Sequence, residues 1–318
     1  MLNLINGVLS IFGAKIISKN EYSHLNSKLG KAISNLLKHE KKLKYKKGIT
    51  CIIFSKDRAM QLLALLETYK KHVKNCQEII VLYNSSTKSH EASYQELKKQ
   101  IKSKLKNLKF VRDENSFNQK IIRILSEVRT QNIFFLTDDN IFINDIDLNI
   151  SSFLKPLKEV LSLRHNPNIN YSLNLNSYFK PPKLEKSKKF KFLSQFNWFE
   201  APGEWSDPWS VDGHIYSTYE VLSLSKISEF KLPNTFEAML KSFNFLMKER
   251  HGLCYQKSII MNTPLNIVQK EYKNIQGNID TKYLLKKWNA GMKIDINLFK
   301  NISINSTHSF HEINFIKR

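Results

Sequence analysis

The chain has 318 residues and 42% of them are hydrophobic, so it is long enough to bury the core of one large domain or two small ones. It holds 50 lysines and arginines against 28 aspartates and glutamates, and this formal charge of +22 indicates an anionic partner such as nucleic acid, a membrane surface or an anionic substrate. The three cysteines, Cys51, Cys76 and Cys254, are widely spaced and odd in number, which argues against a disulfide framework or a zinc site and for a reducing compartment.

Residues 1–47 are predicted to form an N-terminal amphipathic and basic helical segment. Apolar residues between positions 2 and 17 have approximately helical spacing, and residues 28–47 then contain eight lysines against one glutamate. Two interpretations stay open: an interfacial anchor on an anionic membrane, or a helix that packs on the main domain and exposes its lysines. No apolar run has the length of a transmembrane helix.

From residue 48 onward, short apolar runs alternate with stretches of helical periodicity. This alternation predicts an α/β fold with a mostly parallel central sheet and flanking helices. Polar residues follow each predicted strand, at the edge of the sheet where nucleotides bind in such folds. The predicted strands cover residues 48–54, 78–83, 108–111 and 132–136, and the predicted helices cover residues 59–73, 94–105 and 117–128.

Two adjacent aspartates, Asp138 and Asp139, follow the last of these strands and precede a second apolar run. Placing two like charges side by side at the end of a buried strand is costly, and a divalent cation is the usual remedy. We therefore interpret this acidic turn as a site for a metal ion and a diphosphate. The alternative is a plain polar turn or the N-cap of a following helix.

Beyond the acidic turn the alternation weakens. Residues 150–163 predict a helix and a strand that end at Arg164, and the lysine- and proline-rich residues 180–191 predict a mobile loop. Three of the four tryptophans fall within residues 196–216. The nine glycines are scattered, so the sequence has no glycine-rich phosphate-binding loop.

Residues 48–142 resemble the nucleotide-binding half of glycosyltransferases with the GT-A fold, particularly the family-2-like bacterial enzymes. The matching features are the first strand with Ser-Lys-Asp-Arg at 55–58, the second strand with Asn-Ser-Ser at 84–86, and the acidic turn in the place of the family's metal motif. Asn140 departs from a full triple-aspartate pattern. Residues 143–318 resemble the acceptor-binding half more loosely, through Trp-Ser-Val-Asp-Gly-His at 209–214 and the tail that contains Asn262 and Ser-Phe-His at 309–311. The resemblance divides the chain into residues 1–47 and a GT-A domain at 48–318.

The resemblance implies a metal-dependent transfer from a nucleotide-sugar donor. Oxygen ligands suit Mg²⁺ or Mn²⁺, and substrate phosphates supply the remaining ligands. We expect Asp139 to bind the metal directly and Asp138 to contact the ribose or a metal-bound water. His308 or His311 would complete the site and favour Mn²⁺, although a surface histidine is the commoner explanation.

Five further residues are candidates for contacts with the donor. Asp57 and Arg58 would contact the base or the diphosphate, or else cap the first helix and expose an arginine. Asn84 would contact the nucleoside or simply end its strand. Arg164 follows an apolar strand and could hold phosphate with two hydrogen bonds. Ser55 completes this donor-binding set.

An inverting transferase needs a carboxylate base near the acceptor hydroxyl. Asp212 is the first candidate because it lies in an aromatic segment, and Glu237 is the second. Asp212 could instead be a turn residue before Gly213, and Glu237 could be an acid at the start of a helix. Trp205 and Trp209 would stack on the acceptor sugar from a flexible lid, whereas core packing is the usual fate of tryptophan.

These inferences predict a glycosyltransferase that extends a surface glycan such as lipopolysaccharide or capsule. We expect it in the cytoplasm, with the N-terminal segment holding it near an anionic membrane and a lipid-linked acceptor. A nucleic-acid-binding protein is the first alternative, but no recognised module is present and the acidic turn would repel phosphate. A sugar-phosphate nucleotidyltransferase would need a glycine-rich loop, and an inactive scaffold that keeps the fold is the third alternative.

Overall fold

The computed structural model describes residues 20, 27–31, 33, 35, 45–266, 268, 277 and 279–318. The chain divides into two compact units, residues 1–43 and 44–318. Residues 27–31 of the first unit are helical, and most of the predicted amphipathic segment lies outside the described residues. In the part of the chain that is described, no helix has the length and apolar character needed to cross a bilayer.

A nine-stranded sheet forms the centre of the second unit. Its strands are β1 (Lys46–Lys56), β2 (Glu78–Asn84), β3 (Leu108–Arg112), β4 (Thr130–Thr137), β5 (Glu159–Ser162), β6 (Glu185–Lys186), β7 (Leu193–Asn197), β8 (His214–Ser217) and β9 (His251–Tyr255). Their order in the sheet is β6-β7-β9-β5-β8-β4-β1-β2-β3. Strands β1 to β4 are parallel to their neighbours within this group, and β1 is buried along most of its length between β2 and β4. A continuous apolar run is typical of such a central parallel strand.

Six helices accompany the sheet within the described residues of this unit. The helix Lys88–Ile101 begins six residues before its predicted start, because the Thr87 side chain accepts a hydrogen bond from the backbone N–H of His90 and so caps the helix. The helices are α1 (Ala59–His72), α2 (Lys88–Ile101), α3 (Phe117–Glu127), α4 (Thr218–Lys226), α5 (Pro233–Lys241) and α6 (Thr281–Asn289). Short 3₁₀ helices cover Leu148–Phe153, Trp198–Glu200, Gly203–Ser206, Asn244–Met247 and Ile296–Phe299.

The second half of the sheet is mixed. Strand β8 is antiparallel to both of its neighbours, β4 and β5, whereas β9 is parallel to β5 and antiparallel to β7. The predicted α/β class with its central sheet and flanking helices is confirmed. The prediction of a loop at residues 180–191 needs a correction, because this segment contains β6, which pairs with β7 at the sheet edge.

Among the residues that the structure describes, four two-stranded pairs lie outside the main sheet, and one of them shapes the site. Its register places Asn262 opposite Asn140, so the chain after β9 returns to the acidic turn. The pairs are Asn140–Phe142 with Ile260–Asn262, Val73–Lys74 with Ile146–Asp147, Tyr171–Ser172 with Ser177–Tyr178, and Met292–Ile294 with Phe315–Lys317.

An aromatic cluster joins the sheet to helix α5 directly below the acidic turn. The ring of Phe54 in β1 stacks on that of Phe135 in β4 with centroids 5.5 Å apart, and Phe236 of α5 packs edge-on against Phe135 at 5.3 Å. All three side chains are buried. This packing fixes α5, and with it Glu237, relative to the end of β4.

Candidate active site

A cleft of about 900 Å³ lies at the carboxyl ends of β1, β2 and β4. This is the edge of an α/β sheet at which ligands bind, and the volume lies in the range of small-molecule sites. The cleft brings together most of the residues that the sequence singled out. They are Ser55, Arg58, Asn84, Asp138, Asp139, Arg164, Asp212, Glu237 and His308.

Asp138 is 2% exposed and its carboxylate is fully engaged by protein donors. Oδ2 accepts hydrogen bonds from the Ser55 hydroxyl at 2.8 Å and the Lys56 backbone N–H at 3.2 Å, and Oδ1 accepts one from Arg58 at 2.9 Å. Burial raises the pKa of Asp138 to about 6, although Arg58 works in the opposite direction. The side chain therefore serves to organise the turn.

Arg58 is the counter-ion of the acidic turn. Its Nη1 donates to Asp138 and lies 3.4 Å from Asp139, its Nε donates to the Asn266 side chain at 2.7 Å, and its Nη2 donates to the Asn266 backbone carbonyl. Burial lowers the pKa of Arg58, but the two carboxylates outweigh this and raise it overall. This geometry argues against the predicted contact of Arg58 with the base or diphosphate, because each guanidinium nitrogen of Arg58 already has a partner in the protein.

Asp139 is the acid of the turn that faces the cleft. Its side chain is 12% exposed, and its Oδ1 accepts a hydrogen bond from the Asn262 amide at 2.9 Å. The Oδ1 of Asn262 is buried and has no hydrogen-bond partner among the described residues. One carboxylate and one orphaned amide oxygen are hard donors that fit Mg²⁺ or Mn²⁺ if substrate phosphates supply further ligands. Within the described ranges, no group of three histidine, cysteine or acidic residues is placed to hold a metal alone.

The other donor-side candidates divide into two groups. Ser55 and Asn84 line the cleft, where Asn84 donates to the backbone carbonyl of Asp113 at 2.9 Å. Asp57 does not line it, and its predicted donor contact is corrected here. Its backbone has a φ of +57°, and its carboxylate accepts a hydrogen bond from the Ser86 N–H at 2.7 Å, so it joins the loops that follow β1 and β2.

Four carboxylates surround Arg164 on the other side of the acidic turn, and we call Glu204, Asp207, Asp212 and Glu237 the acidic cluster. Asp212 accepts a hydrogen bond from the Thr137 hydroxyl at 2.7 Å, which connects the cluster to the last residue of β4. Gly213 follows with a φ of +76°, as expected for an Asp-Gly turn, and a Cβ there would meet Ile260 at 2.3 Å.

Glu237 lies on helix α5 with its carboxylate 3.1 Å from the Lys241 ammonium, which also lies 2.9 Å from Asp207. Burial raises the pKa of Glu237, and the neighbouring Asp207 and Asp212 add to the rise against the effect of Lys241. A carboxyl group with a raised pKa is suited to accept a proton. Both predicted base candidates therefore face one cleft.

Arg164 is 4% exposed but poorly hydrogen-bonded. Its nearest acidic oxygens are those of Asp207 at 3.7 Å and Asp212 at 3.9 Å, and its buried Nε has no hydrogen-bond partner among the described residues. Burial lowers the pKa of Arg164, and the surrounding carboxylates raise it overall. A buried guanidinium without close partners is costly unless a ligand completes its hydrogen bonds.

Glu204 and Asp207 were not predicted, although they flank Trp205 in a segment that the sequence marked. Glu204 accepts hydrogen bonds from the hydroxyls of Ser172, at 2.8 Å, and Thr307, and lies 3.7 Å from His308. Burial alone would raise the pKa of Glu204, but these partners and Arg164 hold it well below its usual range. The signal that could have identified them is the pair of acids in a segment otherwise rich in tryptophan.

Two predicted metal ligands in the tail have different positions. His308 lines the cleft next to Asn262, whose strand it joins through a β-bridge. His311 lies outside the cleft lining, and its ring packs edge-on against Phe299 with centroids 6.1 Å apart. The metal role predicted for His311 is corrected accordingly. That of His308 stays a prediction.

Trp205 and Trp209 are both fully buried, so the predicted stacking on an acceptor sugar is wrong. The indole N–H of Trp205 donates to the Ile169 carbonyl at 2.8 Å, and its ring stacks on His165 at 4.6 Å. Trp209 stacks on Tyr216 at 5.0 Å. The large apolar area of an indole makes burial more favourable than exposure even in a segment that looks polar.

A mostly parallel sheet with an acidic turn at its carboxyl edge, next to a carboxylate-lined cleft, is what the resemblance to GT-A glycosyltransferases predicts. The family model described as "Glycosyl transferase family 64 domain" matches residues 49–152. The curated protein "Bifunctional glycosyltransferase pgtA" of Dictyostelium discoideum is 28% identical over 194 residues, which are 56% of this chain. Both matches are to proteins described as glycosyltransferases, in agreement with the resemblance predicted from the sequence, and the family-model match falls on the predicted nucleotide-binding half. The chain spans 25% of the length of this relative.

Solved structures with similar folds include TarS of S. aureus, with a TM-score of 0.44 and 15% identity over 69% of this chain and 37% of that chain. A crystal structure of TarS residues 1–349 in complex with UDP-GlcNAc has a TM-score of 0.43 and 14% identity over 71% of this chain and 60% of that chain. The 4-diphosphocytidyl-2C-methyl-D-erythritol synthase of Anaerococcus prevotii has a TM-score of 0.38 and 13% identity, covering 77% of this chain and 98% of that one. Scores this low carry no argument about function.

Proposed function

We propose that this chain transfers a sugar from a nucleoside diphosphate sugar to a hydroxyl of a glycan acceptor, with a divalent cation beside Asp139. The observation that carries the proposal is the single cleft that joins the acidic turn to the acidic cluster. The nucleoside would lie over the ends of β1 and β2, next to Ser55 and Asn84. The diphosphate would lie beside Asp139, and the sugar would face Asp212 and Arg164.

A bound Mg²⁺ or Mn²⁺ would supply positive charge to the leaving diphosphate. Asp139 and the orphaned oxygen of Asn262 are the residues that would hold it. Asp138 and Arg58 would not take part directly, because their hydrogen bonds to each other and to neighbouring groups keep the turn in place. His308, one strand away, is the remaining candidate ligand from the tail.

Asp212 is our candidate for the base that takes the proton of the acceptor hydroxyl. It lies next to the acidic turn through its hydrogen bond with Thr137, so its carboxylate would be near the reacting carbon of a donor whose diphosphate lies beside Asp139. Glu237 is the alternative, and its raised pKa suits the role. The variants Asp212→Asn and Glu237→Gln separate the two: loss of the base should abolish turnover and leave nucleotide binding unchanged.

The acceptor that we propose is a surface glycan, such as lipopolysaccharide or capsule, carried on a lipid. The support for this part is the sequence, in which residues 28–47 contain eight lysines after an apolar segment. Such a segment would hold the enzyme at the inner face of the cytoplasmic membrane. Binding of the full chain to vesicles with and without anionic lipid tests the location.

A thermal-shift screen of UDP, GDP, CMP and dTDP, each with and without Mn²⁺ or Mg²⁺, tests the donor site. A ligand that binds only the folded state raises the apparent stability, so one nucleotide with metal should raise the Tm and EDTA should reverse the rise. Asp139→Ala should abolish the shift, whereas Asp145→Asn, which changes an acid that is 82% exposed, should keep it. The proposal fails if Asp139→Ala keeps both metal-dependent binding and transfer.

A further inference from the structure

The acidic cluster has an electrostatic character that restricts the sugar it can accept. It places four carboxylates around two permanent cations, Arg164 and Lys241, in a chain whose overall charge is +22. His308, next to Glu204, and Lys231, two residues before α5, are further titratable groups that line this part of the cleft. An excess of negative charge in a basic protein is therefore concentrated at this point.

The position of the cluster places it against the sugar of the donor. Thr137 ends β4 immediately before the acidic turn, and its hydroxyl donates to Asp212 at 2.7 Å. Asn262 donates to Asp139 and also, at 3.3 Å, to Thr137. A diphosphate beside Asp139 therefore leaves the group attached to it next to the cluster. This step rests on the proposed function.

The cations of the cluster already face carboxylates of the protein. Lys241 lies 2.9 Å from Asp207 and 3.1 Å from Glu237, and Arg164 lies between Asp207 and Asp212. A carboxylate on the ligand would thus enter a group of four carboxylates that Arg164 and Lys241 already face. Repulsion between like charges in a partly buried site is strong, because water screens it poorly.

Arg164 shows that the cluster is built for a ligand with hydrogen-bonding groups. Its Nε is buried without a partner, and its ion pairs are longer than a hydrogen bond. Hydroxyl groups of a sugar can donate to the carboxylates and accept from the guanidinium at the same time. We propose that the transferred sugar carries no carboxylate: the site takes a neutral or amino sugar and rejects a uronic acid.

The test compares donors that differ only at the sixth carbon of the sugar. Affinities of the full chain with Mn²⁺ are measured by titration calorimetry for UDP-glucose, UDP-glucuronate and UDP, and for GDP-mannose, GDP-mannuronate and GDP. We expect the neutral donor of the preferred nucleotide to bind at least tenfold more tightly than its uronate. Asp207→Asn should reduce this ratio several-fold, and Glu185→Gln, which removes an acid of an exposed pair elsewhere, should not.

The outcomes separate this inference from the proposed function. Equal binding of neutral and uronate donors, with the free nucleotide also bound, overturns the inference and keeps the donor site. Binding of none of the six compounds, together with no metal-dependent shift in Tm from UDP, GDP, CMP or dTDP, overturns the proposed function and the inference with it. A preference for the neutral donor that is the same in Asp207→Asn and in wild type would assign the selectivity to another part of the cleft and overturn the role of the cluster.

Discussion

Two buried arginines face the same cleft and differ in how they are satisfied. Arg58 donates from all three guanidinium nitrogens to the acidic turn and to Asn266. Arg164 is more deeply buried, but its nearest acidic oxygens are 3.7 and 3.9 Å away. The comparison shows that burial of a charge does not by itself mark a binding residue. The completeness of its hydrogen bonds separates an arginine that holds the protein together from one that awaits a ligand.

The largest expected effect is on stability, at Arg58. Arg58→Met would leave the Asp138 carboxylate buried without its counter-ion, which typically costs about 3–5 kcal/mol of the free energy of unfolding. Urea denaturation followed by circular dichroism measures the loss. Arg123→Met is the matched control, since Arg123 is 74% exposed and pairs with Glu127 on the helix surface; its loss should be far smaller. Equal losses in the two variants would contradict the role given to Arg58.

Arg164 is expected to show the opposite pattern. Arg164→Met should lower the rate of sugar transfer about a hundredfold, equivalent to about 2.7 kcal/mol, because donors aimed at the reacting groups contribute on this scale. Its loss of unfolding free energy should be less than half that of Arg58→Met, because Lys241 still neutralises Asp207 and Glu237. Steady-state turnover and urea denaturation of the same samples test both parts. If Arg164→Met lost as much unfolding free energy as Arg58→Met and still transferred sugar at the normal rate, Arg164 would be a structural residue and not a ligand-binding one.

A smaller effect is expected in the pH dependence of stability. Burial lowers the pKa of His308, but its interaction with Glu204 outweighs this and raises it above the ordinary 6.5. A raised histidine pKa contributes stability below the unfolded value and loses it as the pH rises through the folded value. Glu204→Gln should therefore reduce the fall in Tm between about pH 6 and pH 8. Parallel pH profiles in wild type and variant would show that the pair does not act this way.

The smallest effect is expected at the protein surface, where an ion pair is complete but exposed. Lys183 and Glu185 lie 2.8 Å apart with most of both side chains in water. Lys183→Ala should leave the free energy of unfolding and the rate of transfer close to those of the wild type. Urea denaturation provides the reference against which the two buried arginines are compared. A larger loss would mean that this edge of the sheet, next to β6, depends on the pair.

The first half of the domain could be predicted from local patterns. Strands β1, β2 and β4 read as short apolar runs because both of their faces are buried, and the acidic turn followed directly from β4. Helix α2 was predicted too short because its N-terminal turns are polar and depend on the cap at Thr87. In this half the signal for each element lies in its own residues and those next to them, so long-range contacts are not needed to predict it.

The second half could not be predicted in the same way, because its site is assembled over long distances. Asn262 and His308 reach the cleft through pairings with residues far apart in the chain, and no local pattern encodes these. Trp205 and Trp209 were predicted to stack on an acceptor sugar because their neighbours are polar, whereas the tertiary packing buries them against His165 and Tyr216. Asp212 and Glu237 could be named as base candidates only because an inverting transfer requires a carboxylate, not because a local pattern placed them in the cleft.

Strand β8 runs opposite to β4, so the chain enters the sheet at the edge where β4 leaves it. As a result Asp212, just before β8, meets Thr137 at the end of β4 across 75 positions of sequence. The two sides of the cleft are thus held together by the backbone pairing of two adjacent strands, β4 and β8. The chain between these strands leaves the acidic turn and returns to it. We expect relatives that bind other acceptors to differ mainly in the loops that join β5, β6 and β7, while the pairing of β4 with β8 keeps the reacting groups at their spacing.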